Sequence, residues 1–193
     1  AMPALLPGMN AFGIKCITFF PTYPTRGAPT LWGIAVLNDP DNGGVLAIMD
    51  AAYLTAVRTP AASAVATRAL ANPDASELAI IGTGVQAGTH LWGMTEVRPI
   101  ARVRVAGSTL EASEQFVAAH SPRYPGVEIS PAGSPEEAIR GADVVCTVTP
   151  SVEPTMRLEW LKPGCHVNGV GSHSPGAREV DGETMAAARV VVD

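Results

Sequence analysis

Only two of the thirteen basic residues are lysines. One of them, Lys15, sits inside an apolar stretch beside Ile14, Ile17, Phe19 and Phe20. An ammonium there either snorkels to water from an edge strand or faces a ligand carboxylate while partly desolvated, with a pKa open to tuning. Arg58 directly precedes Thr59-Pro60. Threonine is a good N-cap and proline suits the first helical position. A guanidinium beside such a helix start suits a carboxylate or phosphate. The other reading of Arg58 is a surface pair with Asp50 or Glu77. The third feature is Gly82-Thr83-Gly84-Val85-Gln86-Ala87, a G-x-G-x-x-A turn after the apolar run at residues 78–81. In that context Gly82 permits the tight turn and Gly84 lets the backbone approach a pyrophosphate. Ala87 lets the following helix pack on the strand, and the helix N-terminus offers its free N–H groups to phosphate.

An acid that would bind a ribose 2′-hydroxyl is expected about 20 residues beyond the first glycine of such a turn. Gly107-Ser108-Thr109 stands there instead. Without a carboxylate, repulsion against a 2′-phosphate is absent and the Ser108 and Thr109 hydroxyls can donate to one. The expected cofactor is therefore NAD or NADP, with a lean to NADP.

These residues need a frame. Strands are expected at residues 12–20, 31–37 and 45–49, with a hairpin turn at Asn42-Gly43. They form a small antiparallel sheet. Asp50 caps a helix from residue 51, and Pro60 starts a second helix, or a sharp kink and restart, to residue 71. From residue 77 the pattern alternates. Short apolar runs at 78–81, 102–106, 127–129, 143–148, 166–170 and 189–192 read as buried parallel strands. Helices are expected at 85–97, from a capping box at Ser108 to about residue 119, and from a second box at Ser134. Such alternation reads as a doubly wound parallel sheet. The expected domains are residues 1–71 and 72–193.

Composition narrows the functions. The chain has 193 residues, 47% apolar and 16% charged, enough to bury a core. Eighteen acids against thirteen bases give a net charge of −5. The only basic pair is Arg102/Arg104, so nucleic acid is not an expected partner. No apolar run approaches the about 18 residues that span a bilayer. The start lacks the basic leader and apolar run of a signal peptide. Cys16, Cys146 and Cys165 are widely spaced and odd in number. Two of them sit inside apolar runs, so buried thiols of a cytoplasmic protein are expected. No metal site is expected.

Further stretches are residues 13–15 (GIK), 54–59 (LTAVRT), 81–87 (IGTGVQA), and 141–145 (GADVV) with Thr147 and Thr149. Glu153-Pro154, residues 160–172 (WLKPGCHVNGVGS), Arg178-Glu179 and residues 190–193 (VVVD) follow. Through these, in this order, the chain resembles the ornithine cyclodeaminase/μ-crystallin family of NAD(P)-dependent proteins. The resemblance implies a homodimer and an α/β chain: a Rossmann-type sheet preceded by part of an antiparallel α+β substrate and dimerisation domain. It implies that Lys15 and Arg58 hold the substrate carboxylate and that Thr59 contacts a cofactor phosphate. Gly82, Thr83, Gly84, Val85, Gln86, Ser108, Thr109, Thr147, Thr149 and Val170 then complete the dinucleotide site. Ornithine cyclodeaminase carries an aspartate where His173 stands here. The expected reaction is therefore hydride transfer to or from the α-carbon of a small 2-amino or cyclic 2-imino acid, as in alanine dehydrogenase or ketimine reductase. His173 either serves that reaction as a proton donor or acceptor or only fixes its own loop. The alternatives are cofactor-recycling conversion of ornithine to proline and ammonia, and NADPH binding without turnover. The resemblance also implies elements before residue 13 and helices after residue 193, so the chain is expected to be part of a longer protein.

Overall fold

The structure is a computed structural model and describes residues 1–20, 29–172 and 176–192. Four antiparallel strands come first: β1 (Met2–Leu6), β2 (Ala11–Phe19), β3 (Leu31–Asn38) and β4 (Val45–Asp50), in that spatial order. β2 to β4 follow the expected strands. β1 was not expected, because Pro3 interrupts its short apolar run and Pro7 ends it. Asn10 closes the β1–β2 connection in the left-handed region, with φ 46° and ψ 51°. The expected Asn42-Gly43 turn forms, with Gly43 at φ 76°. Its N–H and that of Asp41 donate to the Asp39 backbone and side-chain oxygens respectively, each at 2.8 Å.

The register sorts the two faces of this sheet. Lys15 pairs with Ala35 and Met2, and its side chain shares a face with Ala35. Phe12, Ile14, Trp32, Ile34 and Ile48 lie on the other face and are exposed.

Helix α1 (Ala51–Leu70) starts as the sequence indicates, with the Tyr53 N–H donating to Asp50 Oδ1 at 2.7 Å. It then runs unbroken through Pro60, where a break or restart was expected. Pro60 removes one helical donor. Packing compensates at this point: a Cβ on Gly93 would lie 3.2 Å from the Pro60 carbonyl oxygen and 3.3 Å from its Cβ. The chain divides within α1 into two compact units, Ala1–Arg58 and Thr59–Asp193.

The second unit is built on a parallel sheet. Its strands are β5 (Glu77–Ile81), β6 (Arg102–Ala106), β7 (Glu128–Pro131), β8 (Val144–Thr147) and β9 (His166–Gly169), in the order β7-β6-β5-β8-β9. The order reverses beside β5, as in doubly wound sheets. Its helices are α2 (Val85–Val97), α3 (Leu110–His120), α4 (Pro135–Ile139) and α5 (Gly182–Ala187).

Both faces of the sheet are covered, which is why its strands read as continuous apolar runs. Leu78, Ile80, Val103, Val105 and Val144 pack with Ala87, Leu91, Met94 and Phe116 on one face. Ala79, Ile81, Val145, Ala138, Ile139 and Met156 pack on the other. No helix among the described residues is long and apolar enough to cross a membrane.

Two local expectations change. Thr109, not Ser108, caps α3, its side chain accepting from the Ala112 N–H at 3.2 Å. The strand expected at 189–192 does not form. Val190, Val191 and Val192 are exposed, and among the described residues β9 pairs only with β8. Valine-rich sequence favours a strand only where a neighbouring strand offers partners. The capping box at Ser134 forms, its hydroxyl accepting from the Glu137 N–H at 3.1 Å.

His90 ties α1 to α2 inside the second unit. Its Nδ1 lies 2.7 Å from the Gln86 carbonyl and its Nε2 lies 3.0 Å from Ser63 Oγ. A carbonyl only accepts, so Nδ1 carries the proton and Nε2 accepts from Ser63. Burial lowers the His90 pKa, against a smaller opposing effect of the Gln86 bond. Burial also lowers those of His120 and His166. A histidine pKa lowered by folding leaves the unfolded chain binding more protons below about pH 6.5. Stability is therefore expected to be intact above that pH and to fall as the pH drops through it. Melting temperatures measured from about pH 7 to pH 5 check this; a melting temperature that rises on acidification over that window contradicts it.

Candidate functional site

β5 runs straight into the glycine turn. Gly82 adopts φ +117°, and a Cβ there would lie 2.9 Å from the Val148 carbonyl oxygen. Only glycine fits that conformation and that approach. Gly84 differs: it is the N-cap of α2 with an extended backbone, φ −82° and ψ −169°, and no side-chain cap. A Cβ on Gly84 would meet no atom within 4 Å. The start of α2 thus carries no side-chain cap and leaves the space over Gly84 open, an anion cradle that a side chain at position 84 would fill. Ala87 is fully buried against the sheet. A groove of about 640 Å³ opens beside the turn, lined in part by Thr83, Gly84, Val85, Trp92 and Arg123.

Three more strand tips stand in this sheet with β5. At the end of β6, a Cβ on Gly107 would lie 2.9 Å from Thr83 Cγ2. Ser108 and Thr109 follow it and are exposed. No carboxylate occupies this tip, and the Thr109 oxygen is engaged in the α3 cap. At the end of β8, Thr147 is buried and Thr149 half-buried. At the end of β9, the Val170 N–H donates to the Thr147 carbonyl at 2.9 Å. Gln86 is half-buried in the first turn of α2.

A residue to which the sequence assigned no role holds two of these tips together. The Glu179 side chain is fully buried. Oε1 accepts from the Thr149 N–H at 2.5 Å and from its hydroxyl at 2.7 Å. Oε2 accepts from the Thr147 hydroxyl at 3.0 Å and from the Gly171 N–H.

In the first unit Lys15 is half-buried and donates from Nζ to Thr55 Oγ1 at 3.1 Å. Burial, and then the neighbouring Arg58 guanidinium, lower its pKa below the usual lysine value. Two cations held near each other in a partly desolvated setting favour an anionic ligand. Arg58 and Thr59 are both half-buried and interior to α1, so the helix terminus expected at Thr59 is not there. His173 lies outside the described residues.

Burial raises the Cys146 and Cys165 pKa values to about 12, which keeps both as thiols. Cys16, expected to be buried, is exposed, because β2 places it on the uncovered face. Among the described residues no group of three His, Cys, Asp or Glu side chains could hold a metal ion.

The model of the ornithine cyclodeaminase/mu-crystallin family matches residues 1–193. Ketimine reductase mu-crystallin of Rattus norvegicus is 38% identical over 192 residues, covering 100% of this chain and 60% of the relative. The solved structure of Thermococcus litoralis Delta(1)-pyrroline-2-carboxylate reductase in complex with NADH and L-proline is 37% identical with a TM-score of 0.90, over 95% of this chain and 56% of that one. An archaeal alanine dehydrogenase dimer with bound NAD is 38% identical with a TM-score of 0.91, over 100% of this chain and 58% of that one. The chain therefore spans 56–60% of the length of these relatives.

Proposed function

The chain belongs to the ornithine cyclodeaminase/mu-crystallin family, and on that premise we propose that it transfers hydride between a nicotinamide dinucleotide and the α-carbon of a small 2-amino or 2-imino acid. The observation that carries this reading is the open cradle over Gly84 at the start of α2, at the point where the strand order reverses. Relatives whose solved structures hold NADH or NAD support it.

The roles divide by chemistry. The glycine turn and the first N–H groups of α2 take the pyrophosphate, with Thr59, Thr83, Val85 and Gln86. Thr147, Thr149 and Val170 take the nicotinamide half. The bound dinucleotide supplies or accepts the hydride. Lys15 and Arg58 hold the substrate carboxylate. Lys15, whose pKa burial and the Arg58 guanidinium lower below the usual lysine value, or His173 manages the proton. At the β6 tip, exposed Ser108 without a neighbouring carboxylate suits the 2′-phosphate of NADP. The exposed apolar face of β1–β4 suits a second copy of the chain, in keeping with the dimeric archaeal relative.

The test is a spectrophotometric screen of NADH and NADPH oxidation. Pyruvate with ammonia or methylamine and the five- and six-membered cyclic 2-imino acids are the trial substrates. Oxidation of reduced cofactor with at least one of them is expected, with NADPH bound more tightly than NADH. Tight binding of either cofactor with no oxidation across the panel would favour a non-catalytic binding protein.

A further inference from the structure

Among the described residues Glu179 is the only acidic side chain that is fully buried. A carboxylate out of water is costly unless donors meet both its oxygens. Here four donors do, and all come from the ends of β8 and β9: the Thr147 and Thr149 hydroxyls and the Thr149 and Gly171 N–H groups. A Cβ on Gly171 would lie 2.6 Å from the Glu179 carboxyl, so the backbone closes on it directly. Val148, between the two threonines, brings its carbonyl against Gly82 of the glycine turn. The carboxylate thus fixes the edge of the sheet next to the turn, on the β8–β9 side of the switch point. The acid that binds the adenosine ribose in such folds stands at the end of the second strand, here β6. A dinucleotide whose pyrophosphate lies on the turn therefore sends its other half, the nicotinamide, over β8 and β9.

We propose that Glu179 is a positioning residue for the nicotinamide half of the dinucleotide: its side-chain oxygens fix the Thr149 and Gly171 backbone into the surface on which that half docks. This rests on the dinucleotide reading above. A role confined to stability would not distinguish one half of the cofactor from the other.

The test compares NADH with ADP-ribose, which lacks the nicotinamide, on wild type and Glu179→Gln. Glutamine keeps the length, but its NH₂ opposes an N–H donor. On folded variant, NADH affinity is expected to fall by about tenfold or more, with ADP-ribose within about twofold of wild type. The enhanced emission of bound reduced nicotinamide is expected to be lost with it. Parallel loss of both ligands, or loss of neither, would overturn the proposal. Should the variant not fold, the Thr149 and Gly171 amide protons of wild type are read by NMR. They are expected to lie downfield, protected from exchange, and to shift on addition of NADH but not of ADP-ribose. Amide protons indifferent to NADH, or equally sensitive to ADP-ribose, would overturn it. Wild type that binds neither ligand would overturn the dinucleotide reading and this one with it, whereas normal binding with an unaltered variant would overturn only this one.

Discussion

Replacing Lys15 by methionine is expected to lower turnover by on the order of a hundred- to a thousand-fold and to leave dinucleotide affinity within about twofold of wild type. Methionine keeps the length and apolar stem of the side chain, so the half-buried position on β2 remains filled. What disappears is the ammonium that donates to Thr55 at 3.1 Å beside Arg58. A cation that binds a substrate carboxylate contributes charge and orientation together, and methionine supplies neither. The dinucleotide turn lies in the other unit, Thr59–Asp193, with its own core. Steady-state kinetics beside a calorimetric NADPH titration separates the two effects. Unchanged turnover would remove Lys15 from the site. Loss of both would mean that the substitution disturbs the fold.

The two glycines of the turn are expected to fail in opposite ways. Gly84→Val meets no atom within 4 Å and keeps a φ of −82° that any residue adopts. It should cost no more than about 1 kcal/mol, because valine is a poor N-cap. Its side chain nevertheless fills the space over the first turn of α2, and dinucleotide affinity should fall by about a hundredfold, or about 2.7 kcal/mol. Gly82→Ala forces a left-handed backbone at φ +117° and a Cβ 2.9 Å from the Val148 carbonyl. It should lose about 1–3 kcal/mol of stability. Denaturant unfolding and ligand titration of the pair check the contrast. Gly84→Val with normal affinity would mean that phosphate does not sit on this turn.

The parallel sheet was legible because burial on both faces leaves a plain mark, a run such as residues 78–81 with no polar interruption. The glycine turn was legible for a related reason, since its two glycines answer to two separate local demands. Other features depend on contacts that sequence does not carry. Pro60 read as a break, yet Gly93 packs against it and α1 continues. Ser108 and Thr109 are adjacent hydroxyls, and only the backbone path decides which one caps α3. Residues 189–192 have strand composition, yet no strand lies beside them among the described residues. Glu179 finds its donors 8 to 32 residues away in the chain, at two strand ends. An acid between Arg178 and Val180 shows no periodicity, and its burial was visible only in three dimensions.

The proposed chemistry passes hydride between the cofactor and the α-carbon of the substrate. It is tested most directly with reduced cofactor carrying deuterium at the transferable nicotinamide position and a cyclic 2-imino acid as acceptor. The expected product is an amino acid with one deuterium at its α-carbon, formed with one equivalent of oxidised cofactor. Product formed without cofactor-derived deuterium at that carbon would contradict it.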